Sequence, residues 1–190
     1  YMEEEEFTQF YTPQMDNSIS NVGVRCEGAI NMFALQRLLD KYLGEEDLAQ
    51  DFMRIKGVFN IKGSDNMFVV QCVHMLRDQS FTKAWNQADS RDNRIIFIGR
   101  NMQQRRQELT EGFLACVAKP LRFPVGEHVL CRRQEGFVEA RVLEHWNELR
   151  AYRLEIQDEE RTNVWAPIDD DDFIRAAAKK LKGQGGGYKR

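Results

Sequence analysis

The sequence predicts an α+β domain followed by a small all-β domain. Two amphipathic helical segments are interleaved with β-prone segments before Pro120, and beyond it short strands recur about every ten residues. A hydrophobic content of 42% over 190 residues is enough to build both cores. We divide the chain into an acidic lead-in (1–17), an α+β domain (18–118), a linker (119–125), a small barrel (126–175) and a basic, glycine-rich tail (176–190).

Four segments of the first domain are rich in β-branched and aromatic residues, which predicts strands. They cover residues 18–28, 51–63, 66–76 and 94–99. The turn-forming "KGSDN" between the second and third segments predicts a hairpin, and Gly57 predicts a bulge. Residues 77–93 are polar and predict an irregular connection. This order of elements predicts one antiparallel or mixed sheet with two helices on a single face.

Helical periodicity identifies the two helices. The first begins after the N-cap Asn31 and ends at Gly44, and the second covers residues 101–119 with Asn101 as its cap. Their apolar stripes are predicted to face the sheet. The first stripe contains Leu35, Leu38, Leu39, Tyr42 and Leu43, and the second contains Leu109, Phe113, Cys116 and Val117.

Beyond the linker, the turn sequences "RQEG", "NELR" and "DEER" separate four or five short strands, which predicts a small SH3-like barrel. The segments "VGEHVLCR", "GFVEARVLEHW", "YRLEI" and "VWAPIDDDDFIR" resemble modules of the Tudor and chromo-barrel type. Such modules bind a peptide or nucleic acid between aromatic side chains, so the resemblance implies Phe137, Trp146 and Trp165 as partner-binding residues. Core packing of these aromatic residues is the alternative, and it is the expected role of Tyr152, which alternates with Leu154.

Five segments of the first domain resemble the CobW C-terminal domain in their order and spacing. They are "RIKGVFNI" (54–61), "VVQCVHM" (69–75), Trp85, "RDNRIIFIGRN" (91–101) and "LTEGFLAC" (109–116). The resemblance covers residues 18–118 and implies a domain that ends GTPases linked to zinc and cobalt delivery. The sequence contains neither a G-x-x-x-x-G-K-[ST] phosphate loop nor a C-x-C-C motif, and "EEEEF" stands where the family often has histidines. We therefore expect no enzyme activity, and GTP only through a GTPase domain that this sequence lacks.

Cys72 and His74 are the candidate metal ligands. In a strand both side chains point to one face, whereas Met75 points to the other. Two ligands are too few for tight zinc binding, so we expect a core strand first and weak zinc binding as the alternative that the resemblance supports. No other cofactor is predicted.

Arg54 and Lys56 are the candidate docking residues of the first domain. They alternate onto one face of their strand. Contact with a GTPase domain or its nucleotide and a solvated sheet face are equally compatible with this pattern.

Charge and cysteine usage restrict the other classes of function. A net charge of −3 and the lack of interleaved base-stacking aromatics argue against dedicated nucleic-acid binding. No apolar run approaches the roughly 18–20 residues of a membrane span, and no signal peptide is recognisable. The four isolated cysteines predict reduced thiols, and hence an intracellular, reducing compartment and a protein that is not secreted. Because the sequence starts at Tyr1, we expect a processed product or a piece of a longer chain.

Two functions follow from these expectations. The first is the non-catalytic C-terminal region of a CobW-type GTP-dependent metallochaperone, which handles zinc or cobalt and binds a GTPase domain or a client. The alternative is a protein–protein interaction module or assembly subunit that has lost the metal role.

Overall fold

The computed structural model describes residues 18–177, apart from residues 45, 87 and 89. It contains two antiparallel five-stranded sheets, and the helices lie in the part of the chain that forms the first sheet. The predicted mixed α and β architecture is confirmed. The predicted lead-in (1–17) and the tail from residue 178 lie outside the described residues.

The first sheet has the strand order β1-β5-β2-β3-β4. The predicted hairpin is confirmed, because β2 pairs with β3 in antiparallel register around the turn at residues 61–65. The strands are β1 (Ile19–Cys26), β2 (Phe52–Asn60), β3 (Asn66–Val73), β4 (Leu76–Ala84) and β5 (Asn93–Arg100).

The helices are α1 (Met32–Gly44), α2 (Glu46–Ala49) and α3 (Arg106–Leu114). Asn31 caps α1 as predicted, since its Oδ1 accepts hydrogen bonds from the backbone N–H groups of Phe33 (2.9 Å) and Ala34 (3.1 Å). The predicted stripe of α1 is buried in full. It shares one hydrophobic core with α3 and with the inner face of the first sheet, which is the face that carries Ile55, Phe59, Val70 and Phe97.

Two predictions about the strands of the first sheet are wrong. Residues 77–93 are not all irregular, because β4 forms the edge of the sheet. Its residues are mostly exposed, and the apolar alternation that marks a half-buried strand is therefore absent. The irregularity of β2 lies between Phe52 and Arg54 and not at Gly57. Gly57 sits in the regular ladder opposite Val70, where a Cβ would overlap the ring of Phe59.

The predicted start of the second helix is also wrong. Asn101 adopts a left-handed backbone conformation (φ 56°) just after β5, and its N–H donates to the carbonyl of Ser18 (3.0 Å). Residues 101–105 form turns, and α3 begins only at Arg106. Asparagine tolerates this conformation better than most residues do. Asn101 therefore ends the strand and does not cap the helix.

The second sheet has the strand order β10-β6-β7-β8-β9. Its core is separate from the first and is built around Val129, Tyr152 and Leu154, so Tyr152 has the expected core position. Among the described strand pairings, none joins β9 to β10, so the sheet is open and the predicted closed barrel is not found. The strands are β6 (His128–Arg133), β7 (Gly136–Asn147), β8 (Arg150–Ile156), β9 (Asn163–Ala166) and β10 (Ile174–Ala176).

The segment predicted as a linker packs against the second sheet. Phe123 is buried in the second core and its N–H donates to the Tyr152 hydroxyl (3.2 Å). The side chain of Arg122 binds Asp169 (Nε–Oδ1 2.8 Å) and Asp171 (Nη1–Oδ1 2.7 Å). The acidic run that follows β9 thus holds residues 121–123 in place, whereas the boundary between the domains stays a prediction.

The two sheets touch through the turn between β7 and β8. Leu149 in that turn packs against the first core, and the guanidinium of Arg150 lies 5.5 Å from the ring centres of both Phe33 and Trp165. No helix of the described chain is long and apolar enough to cross a membrane.

Candidate partner-binding face of the first sheet

The first sheet has a second face, opposite the one against which the helices pack; we call it the outer face. It is assigned from the strand registers, because side chains alternate between faces and paired residues share one. Its apolar residues run across the three central strands and its basic residues lie among them. The face contains Arg25, Arg54, Lys56, Val58, Met67, Val69, Gln71, Val73, Arg94, Ile96, Ile98 and Arg100.

Two neighbouring grooves mark the centre of the outer face. The first has a volume of about 380 Å³ and is lined by Lys56, Val58, Val69, Arg94 and Ile96, among others. The second, of about 320 Å³, shares Val58 and Arg94 with it and extends to Met67, Trp85, Ser90 and Asp92. Because they share two lining residues, the grooves adjoin each other, and together they form a depression of the outer face with apolar residues at its floor and basic side chains beside it.

Among the described residues, the positive charge of the depression is only partly neutralised. Asp92 is almost buried and pairs with Arg25 and, at 3.7 Å, with Arg94. A hydrogen bond from Ser90, together with the Arg25 guanidinium, holds the pKa of Asp92 below its usual range. The side chain of Arg94 nevertheless remains 66% exposed, and Lys56 is exposed beside it.

Two hydrogen-bond donors of this region lack an acceptor. Among the described residues, Arg54 Nε and Trp85 Nε1 are buried and have no hydrogen-bond partner. Arg54 belongs to the outer face and Trp85 lines the second groove. Since a buried, unpaired donor costs about 1–3 kcal/mol, a ligand that supplies carboxylate or carbonyl oxygens would suit this face.

Arg54 and Lys56, the candidate docking residues, share the outer face as their alternation in the sequence predicted. Whether they bind a partner stays a prediction. Sequence reasoning missed Arg94, Ile96 and Trp85 as residues of this face, because the run "RIIFIG" is almost wholly apolar and by itself indicates a strand buried on both faces. The charged residue at the start of that run was the signal that one face is open.

The candidate metal ligands Cys72 and His74 do not lie on the same face of one strand. Cys72 is fully buried on the inner face, and burial raises the pKa of its thiol. His74 is exposed in the turn between β3 and β4, where its φ is 51° and its N–H donates to the carbonyl of Met53 (2.9 Å). The prediction that the two side chains share a strand face is therefore wrong, because β3 ends at Val73 and His74 lies beyond it. In the described part of the chain, no group of three or more His, Cys, Asp or Glu side chains could hold a metal ion.

Each candidate aromatic residue of the second sheet already contacts an Arg or Lys side chain of the same chain. Phe137 lies beneath Arg175 (4.2 Å from guanidinium carbon to ring centre) and Arg132 (5.5 Å). Lys62 lies 5.9 Å from the ring of Trp146. Trp165 contacts Arg150 and donates from Nε1 to Asn147 Oδ1 (3.0 Å). Their role in binding a partner stays a prediction.

The family described as the cobalamin synthesis protein cobW C-terminal domain matches residues 19–117, which is more than half of the chain. The chain belongs to the CobW C-terminal domain family. The match ends just after α3 and includes every strand of the outer face, whereas the second sheet lies beyond it.

Two solved structures are similar to this chain. One is the Zn(II)-bound YjiA GTPase from E. coli, with 22% identity and a TM-score of 0.47, and the other is a Zn(II)-bound triple mutant of YjiA GTPase, with 22% identity and a TM-score of 0.48. Each similarity covers 53% of this chain and 30% of the YjiA chain. The chain thus matches less than a third of these GTPases, and their zinc binding and GTPase identity are statements about those proteins.

Proposed function

We propose that this chain is the non-catalytic C-terminal region of a CobW-type GTP-dependent metallochaperone and that its outer face binds the GTPase domain or a client protein. The observation that carries the proposal is the coincidence of the CobW C-terminal domain match with a grooved sheet face that none of the described helices covers. In such a system the nucleotide state of the GTPase would decide which surface is offered to this domain.

The chemistry of the outer face supports a protein partner. Val58, Val69 and Ile96 are partly exposed and form an apolar centre, and Lys56 and Arg94 lie beside them. Protein interfaces commonly combine an apolar core with a polar rim in this way. Arg54 would gain the acceptor that it lacks if a partner placed a carboxylate over it.

Metal, in this proposal, is cargo, and the contribution of this region to holding it is small. Cys72 is enclosed in the core with a thiol that burial keeps protonated, so it is a poor ligand. His74 is accessible in its turn and would supply one imidazole to a zinc or cobalt ion shared with a partner. Zinc binding by this chain alone is therefore expected to be weak.

The second sheet has a proposed role as well. Its last strand, β10, returns to pair with its first, β6, as in a small five-stranded barrel that begins to close. We retain an SH3-like interaction module as the proposal for this sheet.

The docking proposal can be tested by adding a CobW-type GTPase domain, loaded with GDP or a GTP analogue, to the full chain. Arg94→Glu is expected to weaken binding at least about tenfold, because it reverses the charge of an exposed side chain at both grooves. Arg106→Glu is the matched control, since Arg106 is exposed on α3 and away from the outer face. Calorimetry that finds no binding in either nucleotide state, or equal loss in both variants, would contradict the proposal.

The alternative function is an interaction module or assembly subunit without a metal role. The burial of Cys72 favours this alternative, because the thiol of the predicted ligand pair is not accessible to a metal ion from the surface. Binding of a partner through the outer face that does not change when zinc is added and when His74→Ala is introduced would favour this alternative.

A further inference from the structure

The outer face has a marked charge bias. Lys56 and Arg94 line the first groove, and Arg54 lies on the same face two residues before Lys56 in β2. The acidic residues there are fewer: Asp92 is already paired with Arg25 and Arg94, and Asp78 of β4 lies opposite Gln71 at the edge of the face. The buried N–H groups of Arg54 and Trp85 add two donors without acceptors among the described residues. A fitting occupant therefore carries carboxylates for the donors and apolar side chains for the groove floor.

One segment of this chain has that chemistry. Residues 1–17, "YMEEEEFTQFYTPQMDN", contain five acidic residues and no basic one, together with Phe and Met side chains. The four consecutive carboxylates of Glu3–Glu6 are followed directly by Phe7. The segment leads into β1, which is an edge strand of the same sheet.

The length of the segment allows it to reach the grooves. Glu6 precedes Ser18 by 12 residues, and an extended chain of that length spans up to about 40 Å. The five strands of the sheet, spaced about 4.8 Å apart, extend over only about 19 Å. A tethered segment of this kind is present near its target at an effective concentration in the millimolar range, so even weak contacts would suffice.

We propose that Glu3–Glu6 bind the outer face of the first sheet within the same chain. The carboxylates pair with Arg54, Lys56 and Arg94, and Phe7 enters the apolar groove. This inference does not rest on the proposed function, because both the segment and the face belong to this chain. Where a partner uses the same face, the segment competes with it and acts as an internal inhibitor of docking.

Zero-length carbodiimide cross-linking of the full chain tests the proposal, because this reagent joins carboxylates only to amines in direct contact. Lys56 supplies the amine on the outer face. We expect an amide bond between one of Glu3–Glu6 and Lys56, identified by mass spectrometry after digestion. The bond should be absent from Lys56→Gln and should decline as salt rises, since the contact is exposed and electrostatic.

The chain contains both controls for this experiment. Lys41 Nζ lies 2.9 Å from Glu108 Oε1 on the helical side, so that link should form in every sample and report both the reaction and the fold. Lys119 is exposed beside the cavity between the two sheets and should form no bond with Glu3–Glu6. If the Lys41–Glu108 link forms and the Lys56 link does not, the proposal is wrong.

Mixing ¹⁴N- and ¹⁵N-labelled protein identifies the chain that supplies the carboxylate. A single-isotope cross-link supports binding within one chain, whereas a mixed-isotope link shows a second copy as the occupant and overturns the proposal.

An independent measurement uses the indole N–H signals in ¹H–¹⁵N spectra. In the combined Glu3→Gln, Glu4→Gln, Glu5→Gln and Glu6→Gln variant, we expect the Trp85 signal to shift, because its groove loses the occupant. The Trp165 signal should stay unchanged, because its N–H is bonded to Asn147. Two unchanged signals would contradict the proposal.

Discussion

At the scale of single residues, the space around a glycine Cα decides whether the position can accommodate a larger side chain. Gly57 faces the first core in the middle of β2, and an added Cβ would overlap the Phe59 ring and come within 3.1 Å of the Arg94 carbonyl. Gly23 lies in β1 of the same sheet, and an added Cβ there would meet nothing within 4 Å. Two glycines in strands of one sheet thus differ in the room beside them, which the sequence alone does not reveal.

We predict that Gly57→Ala lowers the free energy of unfolding by about 1–3 kcal/mol, because an overpacked core must displace Phe59. Gly23→Ala should change it by less than about 0.5 kcal/mol, since the site is open and exposed. Urea unfolding of both variants measures the difference. A Gly57→Ala protein as stable as Gly23→Ala would show that the ring moves aside without cost.

The same scale explains the outcome for the candidate metal ligands. Cys72 and His74 are two residues apart in the sequence, but only Cys72 belongs to β3. His74 lies in the turn in which the chain reverses direction between β3 and β4. His74 adopts a left-handed backbone conformation in this turn. The turn could not be predicted from the sequence, because "VHML" contains neither the glycine nor the asparagine that usually marks such a position.

At the scale of elements, α1 illustrates how a cap connects local and long-range structure. Asn31 accepts two hydrogen bonds from the first turn of α1 through Oδ1, and its Nδ2 donates to the carbonyl of Pro167 (3.2 Å) just after β9. The capping function could be predicted from the sequence. The bond to Pro167, 136 residues away, could not.

We predict that Asn31→Ala lowers the free energy of unfolding by about 1–2 kcal/mol, because it removes the cap and the hydrogen bond from the start of α1 to the residue after β9. Asn31→Asp keeps the acceptor and loses the donor, so it should cost less than Asn31→Ala. Thermal unfolding followed by circular dichroism compares the two. Equal losses would mean that the contact with Pro167, and not the cap, is the stabilising part.

The elements also explain why β4 escaped prediction. An edge strand that is exposed at most positions does not alternate between apolar and polar residues. Its side-chain contacts here include those of Phe81 with Phe68 of β3 and of Arg77 with Gln36 and Asp40 of α1. The pairing of β4 with β3 defines it as a strand, and backbone hydrogen bonds of this kind leave no trace in the side-chain pattern.

At the scale of the whole molecule, the two sheets keep separate cores but share contacts. Leu149 reaches the first core from the β7–β8 turn, and Arg37 approaches Asp170 (3.9 Å). Residues 119–125 were predicted to be the linker, and Arg122 within them is held by two aspartates and by the carbonyl of Ile174 (3.2 Å).

We predict that trypsin cleaves after Arg122 slowly in the native protein, because a protease needs an extended and accessible segment. A variant that combines Asp169→Asn and Asp171→Asn should be cut there at least several-fold faster, since the ion pairs with the guanidinium are lost. Time courses by mass spectrometry, with cleavage after Arg161 in the β8–β9 turn as the internal reference, measure this. Rapid cleavage of the unmodified chain after Arg122 would show that the segment is a free linker.

What the sequence determined by itself is local. The capped and striped helix α1, the β2–β3 hairpin and the sharing of one face by Arg54 and Lys56 all depend on residues within a few positions of one another. Only the tertiary structure decided which face of the first sheet the described helices leave open and which side chains come together on it. The order β1-β5-β2-β3-β4 places Arg94 of β5 beside Val58 of β2 and brings Trp85 to the same groove. Periodicity reports which side chains of one strand point the same way, whereas the neighbours of a strand are chosen by hydrogen bonding and core packing over the whole chain.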